Sequence, residues 1–287
     1  MIIYMKKACM FPGQGVQFTG MMKEEYCNKY SKYIKSADDI LGYSIVDICN
    51  NKDRAQMLNQ TEFTQPAMYM VNAFSYFDYI EREGIPEYCI GHSLGEFNAI
   101  AAANIVSFEE GLILVKERGN LMSEITNGSM MAILGINRVS VIETINRYGF
   151  ETIDIANMNS YTQTVIAGPM KDLEEVKKIF ELLGATVVFL KVSGPFHTRY
   201  MKNAALKFGS VLRKVNVKEA SIPVISNYTA KEYISEDTKN NLIKQIYNPV
   251  KWVQSIEYLI DQGVDEFTQV GPGRVLKNLY KKIVRDE

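Results

Sequence analysis

The order of apolar and polar residues along the chain predicts strands and helices in alternation. Apolar runs at residues 7–11 and 88–90 are each followed by a glycine-containing turn, which is typical of buried strands. Helical spacing of apolar residues follows at residues 20–41, 65–83, 94–103 and 107–122. Pro66 falls at the first position of the second of these helices, where its missing N–H costs nothing. Ser107 and Glu110 predict a capping box at the start of the fourth.

The segment from residue 129 to residue 192 has a different pattern. It predicts strands at residues 130–134, 152–156, 164–167 and 186–192 and helices at residues 139–148 and 173–183. The resulting order β-α-β-β-α-β is that of a ferredoxin-like unit. Turns at Asn127-Gly128-Ser129 and Ser193-Gly194-Pro195 bound this unit. We interpret it as a small subdomain inserted into a larger one.

After the inserted unit the α/β pattern resumes and continues to the end of the chain. Helices are predicted at residues 199–215 and 252–262 and strands at residues 223–226 and 266–270, followed by a basic C-terminal helix. We therefore predict an α/β protein of two subdomains. Residues 1–127 and 194–287 would form the catalytic subdomain, and residues 128–193 the inserted one.

Composition narrows the class of protein. The 32 Lys and Arg residues balance 33 Asp and Glu residues, so the net charge of −1 argues against a nucleic-acid or membrane-surface partner. No apolar stretch approaches the ~20 residues of a membrane span. The N-terminal charges follow a very short apolar run, the reverse of a secretory signal. The four cysteines contain no C-x-x-C pair, so we expect reduced thiols and a cytoplasmic protein.

One motif carries specific chemistry. Gly91-His92-Ser93-Leu94-Gly95 is the only G-x-S-x-G in the chain, and it lies between a predicted strand and a predicted helix. A sharp turn there would lift the Ser93 hydroxyl off the backbone and aim the N–H groups of the next helix at a developing oxyanion. The alternative is an ordinary strand-to-helix turn with a buried serine. The context favours a nucleophile.

A serine nucleophile needs a base, and the chain has two histidines, His92 and His197. Neighbouring side chains on a sharp turn diverge, so we expect His92 to pack beneath the elbow. His197 lies at a strand-to-helix junction about 100 residues after the serine, a separation that the fold can close. We predict that His197 is the base, the alternative being a histidine on a surface loop.

Arg118 is the third candidate residue. In the predicted helix at residues 107–122 it shares a face with apolar side chains at positions i−4, i−3 and i+4. An arginine on an apolar face is costly without an anionic partner. It would therefore hold a substrate carboxylate, form an internal salt bridge, or extend its charged end to solvent.

Other familiar sites are missing from the sequence. There is no Walker loop, because G-x-x-x-x-G-K-[ST] does not occur, and Gly271-Pro272-Gly273 lacks the third glycine of a dinucleotide fingerprint. No H-E-x-x-H and no spaced Cys/His cluster occurs either, so we predict no metal site.

Several segments, taken together and in order, resemble one family. They are Phe11-Pro12-Gly13-Gln14-Gly15, Gly91-His92-Ser93-Leu94-Gly95-Glu96-Phe97, Arg118-Gly119, Asn159-Ser160, Phe196-His197, Gln245-Ile246-Tyr247-Asn248-Pro249-Val250 and Val270-Gly271-Pro272-Gly273. The chain is similar over nearly its whole length to malonyl-CoA:acyl carrier protein transacylases. It looks most like the free-standing members that serve polyketide synthases in trans. The resemblance implies an α/β-hydrolase-like large subdomain with a parallel sheet, plus the inserted ferredoxin-like subdomain.

The resemblance also implies a role for each motif residue. Ser93 would be the acyl-accepting nucleophile and His197 its base, oriented by the backbone carbonyl of Gln245 instead of by an acid. The backbone N–H groups of Gln14 and Leu94 would form the oxyanion hole. Substrate contacts are expected from Arg118, which would hold the malonyl carboxylate, and from Asn159, Phe196 and His92. Bulk at Phe196 would exclude a 2-methyl branch.

The implied reaction transfers a malonyl group from malonyl-CoA to the phosphopantetheine thiol of an acyl carrier protein, without a cofactor. Three alternatives remain: a housekeeping transacylase of fatty-acid synthesis, a hydrolase that clears stalled carrier-protein thioesters, and a non-catalytic carrier-docking module. Such hydrolases tend to lack the arginine. Val16, Tyr161 and Pro195 depart from the family pattern, and the last two leave fine extender-unit selectivity open.

Overall fold

The computed structural model describes residues 5–286. Residues 1–4, which carried the expectation of no secretory signal, lie outside this range. The strands are β1 (Lys6–Phe11), β2 (Tyr88–Gly91), β3 (Ser129–Leu134), β4 (Asp154–Ser160), β5 (Gln163–Gly168), β6 (Thr186–Phe189), β7 (Val224–Ile225) and β8 (Val264–Gln269). The helices are α1 (Glu24–Lys29), α2 (Ser31–Leu41), α3 (Ile45–Asn50), α4 (Ala55–Leu58), α5 (Thr61–Glu83), α6 (Gly95–Ala102), α7 (Phe108–Ser123), α8 (Arg138–Arg147), α9 (Met170–Leu182), α10 (Lys202–Leu212), α11 (Thr238–Tyr247), α12 (Trp252–Asp261) and α13 (Val275–Asp286).

The larger sheet is parallel, with strand order β7-β2-β1-β8. β1 and β2 are central, and their side chains are almost entirely buried, as expected where helices cover both faces of a parallel sheet. Phe11 and Gly91, the last residues of these two strands, are register partners. The loops that follow them therefore leave the sheet side by side.

The second sheet is antiparallel, with strand order β4-β5-β3-β6. Two helices, α8 and α9, accompany it in the element order β-α-β-β-α-β. The predicted fold class, α/β with a parallel sheet and a ferredoxin-like insertion, is confirmed. All four strands lie inside the predicted segment 128–193, and the exact subdomain boundaries remain a prediction.

Main-chain hydrogen bonds also tie the antiparallel sheet to a loop of the chain outside it. The Met158 N–H donates to the Val250 carbonyl and the Val250 N–H to the Ala156 carbonyl, which makes a short parallel bridge between β4 and the loop before α12. Arg199 grips the carboxylate of Asp154 with its guanidinium and its backbone N–H. The small sheet is thus fixed against the segment that follows His197.

Several predicted helices have different ends in the structure. The helix predicted at 20–41 is two helices that meet at Tyr30, whose ring stacks on Phe74 at 4.7 Å and whose hydroxyl donates to Asp78. Packing on α5 thus overrides a continuous helical pattern. The prediction that Pro66 opens its helix is wrong. α5 begins at Thr61, and Pro66 lies inside it.

The other differences involve short or polar elements. A single turn of 3₁₀ helix at Arg199–Met201 precedes α10, where one long helix was predicted. The helices α3, α4 and α11 have no counterpart in the predictions. α11 has the largest consequence, because it carries Gln245. Among residues 5–286, no helix combines the length and the apolar character needed to cross a membrane.

Candidate active site

The loops after the strands of the parallel sheet converge at one edge. β1 leads to Gln14, β2 to Ser93 and β7 to Asn227. In parallel strands the carboxyl ends lie together, and ligands of open α/β sheets bind beyond that edge. The antiparallel sheet faces this edge across a cavity of about 240 Å³.

The turn at Ser93 has the geometry of a nucleophile elbow. Ser93 has φ of 52°, in the left-handed region that non-glycine residues rarely adopt, and such strain is characteristic of functional sites. Gly91 and Gly95 make the turn possible. A methyl group on Gly95 would overlap the Phe11 carbonyl oxygen, and one on Gly91 would overlap the backbone of Gly95.

Asn227 holds the elbow in this conformation. Its Oδ1 accepts the Ser93 N–H at 2.7 Å, and its Nδ2 donates to the Gly91 carbonyl at 2.6 Å. Asn227 is buried, so these bonds are shielded from competing water. The sequence analysis did not identify Asn227. A polar residue just after a buried strand was the only signal for it.

His197 lies within hydrogen-bond distance of the serine. Its Nδ1 donates to the Gln245 backbone carbonyl at 2.8 Å, which leaves Nε2 unprotonated, facing the Ser93 Oγ at 2.7 Å. The hydroxyl therefore donates to Nε2, the arrangement that general-base activation requires. His197 is buried, so the reading as a surface-loop histidine is wrong.

The surroundings keep His197 neutral. Burial and, next in size, the positive charge of Arg118 together lower the pKa of His197 to about 3, against the opposing hydrogen bond to Gln245. The imidazole can therefore accept a proton across the whole neutral pH range. Among the charged groups at the site, Arg118 is the one that acts most directly on it.

Arg118 is fully buried beside the serine. Its Nη1 donates to Gln65 Oε1 at 2.7 Å, and its Nη2 donates to Ser93 Oγ at 3.1 Å and to Gln245 Oε1 at 3.0 Å. Within the described residues it forms no ion pair with a carboxylate. The internal salt bridge and the solvent-extended side chain are therefore both excluded as explanations of Arg118.

One nitrogen of the Arg118 guanidinium has no hydrogen-bond partner among the described residues. Arg118 Nε is buried, and no acceptor for it exists among the described residues. Nε and Nη2 lie on one edge of the planar group, the edge that grips a carboxylate bidentately. Burial lowers the pKa of Arg118 to about 9, so the group remains charged at neutral pH. The site thus presents a cationic fork next to the nucleophile, with Nε unpaired and Nη2 bound to Ser93 and Gln245.

A buried carboxylate, Glu96, completes the charged groups at the site. Burial raises the pKa of Glu96 to about 7, although hydrogen bonds from Tyr233, Asn227 and Gln245 oppose the shift. Sequence analysis quoted Glu96 as part of a motif but assigned it no role. Gln65, which precedes Pro66, was also missed.

The remaining predicted residues line the same cavity or its floor. His92 Nε2 donates to Asn159 Oδ1 at 2.9 Å, and the His92 ring lies 5.4 Å from that of Trp252. His92 and Asn159 both line the cavity, and the packing of His92 beneath the elbow stays a prediction. The apolar ring of Phe196 lines the cavity beside His197. The cavity wall opposite the elbow is built by apolar residues of the antiparallel sheet and the segment after it: Met130, Ala132, Val165, Leu190 and Val192.

The two amides predicted for the oxyanion hole lie in the loops after β1 and β2. Gln14 lines the cavity, and Leu94 is the residue before the first turn of α6. Neither backbone N–H donates to a protein acceptor in the part of the chain that the structure describes. The Gln14 side chain is fixed by Thr61, whose hydroxyl donates to its Oε1 at 3.0 Å. The role of the two amides as an oxyanion hole remains a prediction.

The described residues contain free thiols but no group of metal ligands. No cluster of three His, Cys, Asp or Glu side chains in the described range could hold a metal ion. All four cysteines are free thiols, and Cys27 is the only one that is not buried. The groups that meet at the Ser93 hydroxyl are the imidazole of His197 and the guanidinium of Arg118.

Comparison with known proteins gives a consistent result. The model of the acyl transferase domain family matches residues 9–286. The polyketide biosynthesis malonyl CoA-acyl carrier protein transacylase PksC of Bacillus subtilis (strain 168) is 44% identical over 280 residues, 96% of each chain. The malonyl CoA-acyl carrier protein transacylase of Staphylococcus aureus (strain MRSA252) is 37% identical, covering 98% of this chain and 93% of that protein. The crystal structure of malonyl CoA-acyl carrier protein transacylase from Burkholderia pseudomallei superposes with a TM-score of 0.95 at 38% identity and covers 99% of both chains.

Proposed function

The chain belongs to the acyl transferase domain family, and on that premise we propose that it transfers a malonyl group from malonyl-CoA to an acyl carrier protein through an acyl-Ser93 intermediate. The observation that carries this proposal is a hydrogen-bonded serine–histidine pair next to a buried arginine whose Nε has no partner. The pair supports acyl transfer, and the arginine supports an acyl group that ends in a carboxylate.

In the first half of the reaction, Ser93 Oγ attacks the thioester carbonyl carbon while its proton passes to His197 Nε2. The carbonyl oxygen becomes an oxyanion that accepts from the Gln14 and Leu94 amides. The carbon–sulfur bond then breaks, and His197 returns the proton to the coenzyme A thiolate. The product is a malonyl ester on Ser93, and no cofactor takes part.

In the second half, the phosphopantetheine thiol of the carrier protein enters from the cavity. Its proton passes to His197 and its sulfur attacks the ester carbonyl. The carbon–oxygen bond breaks, and Ser93 recovers the proton. The Gln245 carbonyl holds His197 in one tautomer through both halves, so the same Nε2 serves each transfer.

Arg118 holds the acyl group during both steps. The malonyl carboxylate takes the Nε–H and the Nη2 N–H that donates to Ser93 Oγ before substrate binds, and the fork places the thioester end of the short acyl chain at Ser93. In a buried cavity, a neutral acetyl group would leave Nε unpaired. The preference for malonyl therefore comes from satisfying a donor that is otherwise buried without a partner.

The higher identity to a transacylase named for polyketide biosynthesis supports service to a polyketide synthase in trans. A fatty-acid carrier protein is the competing acceptor. Four free cysteine thiols support a reducing, cytoplasmic location. A competition experiment separates the two carriers: equimolar holo carrier proteins of both kinds are offered to the loaded enzyme, and the malonyl mass is followed on each.

Intact mass spectrometry tests the proposal directly. Purified chain is mixed with malonyl-CoA, its mass is recorded, and phosphopantetheinylated carrier protein is then added. We expect a malonyl adduct that moves to the carrier faster than to water, and no adduct on Ser93→Ala. An adduct on Ser93→Ala would refute the acyl-serine. Loss of malonate mainly to water in the presence of carrier would indicate a hydrolase instead.

A further inference from the structure

Two charged side chains are buried in the large subdomain, and they are not in direct contact. Glu96 and Arg118 are the only Asp, Glu, Lys or Arg residues with buried side chains in the described part of the chain. They form no ion pair with each other, and the Gln245 side-chain amide lies between them. The amide donates from Nε2 to Glu96 Oε2 at 2.9 Å and accepts at Oε1 from Arg118 Nη2 at 3.0 Å.

The orientation of the Gln245 amide is determined by its neighbours. Nε2 faces two acceptors, Glu96 Oε2 and the Ser93 carbonyl at 2.7 Å, and Oε1 faces one donor. Rotating the amide by half a turn would set its NH₂ against the guanidinium and its oxygen against a carboxylate and a carbonyl. The carboxylate at position 96, together with the Ser93 carbonyl, therefore determines which end of the amide meets Arg118.

Glu96 itself is held firmly. Its Oε1 accepts from the Asn227 N–H at 3.0 Å and from the Tyr233 hydroxyl. These two donors occupy one carboxylate oxygen and leave the other for Gln245. Glu96 makes no hydrogen bond with Arg118 itself, so the hydrogen-bonded connection from the carboxylate to the guanidinium runs through the amide.

We propose that Glu96 is a positioning residue for substrate selection: by fixing the Gln245 amide, it holds the Arg118 guanidinium with its Nε–Nη2 edge toward the acyl carboxylate. This inference rests on the proposed function, and it assigns the preference for a carboxylate-bearing acyl group to a residue that never contacts that group. The Gln245 side chain is the link, in addition to the separate hydrogen bond of its backbone carbonyl with His197.

Glu96→Gln tests the inference because it preserves size and changes one acceptor into a donor. The new amide oxygen can still accept from Asn227 and Tyr233, but its NH₂ then faces Gln245 Nε2. Either that hydrogen bond is lost or the Gln245 amide rotates and presents its NH₂ to Arg118. In both cases the guanidinium loses its alignment.

The experiment compares kcat/KM for serine loading from malonyl-CoA and from acetyl-CoA at pH 8, where Glu96 is ionised. We expect Glu96→Gln to lower the malonyl-to-acetyl ratio about tenfold or more, the scale of one misplaced charge-assisted hydrogen bond. Inactivation by phenylmethylsulfonyl fluoride, which needs Ser93 and His197 but no carboxylate, should proceed at the wild-type rate. Loss of both readouts would indicate general disruption and overturn the proposal.

Further variants separate positioning from structure. Tyr233→Phe is the matched control, because it removes one hydrogen bond of Glu96 but leaves the bond to Gln245, and it should keep the wild-type ratio. Gln245→Met removes the amide and keeps the backbone carbonyl, so it should lower the ratio as Glu96→Gln does. It also tests the inference if Glu96→Gln fails to fold. The double variant should match Gln245→Met alone, and additive losses would show that Glu96 does not act through the amide.

Failure of the proposed function and failure of the role of Glu96 would give different results. If the wild-type chain loads no malonyl group, the proposed function is refuted and this inference falls with it. If the wild-type chain prefers malonyl, and the ratio is unchanged or higher in both Glu96→Gln and Gln245→Met, the proposed function stands and the role of Glu96 is refuted.

Discussion

Replacing Arg118 by alanine tests the carboxylate-binding role most severely. The substitution removes the Nε and Nη2 donors that we assign to the malonyl carboxylate. It leaves the Ser93–His197 hydrogen bond in place, because that bond does not involve the guanidinium. The acyl groups to compare are therefore malonyl, which has the carboxylate, and acetyl, which does not.

The size of the effect follows from the number of bonds lost. Two charge-assisted hydrogen bonds contribute roughly 1.5–3 kcal/mol each, so the malonyl transition state loses roughly 3–6 kcal/mol. At about 1.4 kcal/mol per tenfold, kcat/KM for malonyl-CoA should fall by roughly 10²–10⁴-fold. Acetyl loading makes neither bond and should be spared or improved.

The fold must survive for this comparison to be valid. Without Arg118, the Oε1 atoms of Gln65 and Gln245 lose their donor, and each unsatisfied buried acceptor costs about 1–3 kcal/mol. Removing a buried charge offsets part of this cost. Thermal unfolding followed by circular dichroism should show a folded variant with a lower Tm. Arg118→Lys is the matched control, because it keeps the charge and loses the planar fork. Its kcat/KM for malonyl-CoA should fall between those of the wild type and Arg118→Ala.

The assay is serine loading by intact mass at several concentrations of each acyl-CoA, with wild type, Arg118→Ala and Arg118→Lys in parallel. A malonyl-specific loss supports the fork. An equal loss with malonyl-CoA and acetyl-CoA in a folded Arg118→Ala protein would mean that Arg118 supports the architecture of the site and does not recognise the carboxylate.

Three further predictions concern the base and the elbow. Because burial lowers the pKa of His197 to about 3, its neutral form persists below pH 6.5, and acetyl-loading rates should be the same at pH 5 and pH 8. A loading rate that falls toward low pH with an apparent pKa near 6.5 would contradict this. Asn227→Ala removes the acceptor of the Ser93 N–H, so the free energy of unfolding in urea should fall by about 1–3 kcal/mol and acyl loading should be slower. Unchanged loading would show that the elbow keeps its conformation without Asn227. Gly95→Ala places a methyl group on the Phe11 carbonyl, and we expect no soluble, loading-competent protein; normal expression and activity would mean that α6 can shift away from β1.

The local features of this protein could be read from the sequence. The capping box of Ser107 and Glu110 involves residues three positions apart, and both of its hydrogen bonds are present in the structure. Strands β1 and β2 and the helix after the elbow were placed within one or two residues, because buried apolar runs and Gly punctuation are local signals. The β-α-β-β-α-β order was predicted for the same reason.

Where long-range contacts decide, the sequence predictions were less successful. The break at Tyr30 comes from packing on α5, and the helix that carries Gln245 is polar even at buried positions, which include Thr238 and Asn241. Asn227 and Gln65 have no motif of their own. They matter because of what they meet 134 and 53 residues away.

The sequence by itself determined the nucleophile elbow, the two possible bases and the anomaly of an arginine on an apolar face. Only the tertiary structure decided that His197 faces Ser93, that Arg118 keeps an unpaired Nε beside it, and that Glu96 reaches Arg118 through Gln245. The reason is physical. Propensity and periodicity act over a few residues, whereas the partner of a buried polar group is chosen by whichever donors and acceptors the fold brings within about 3 Å.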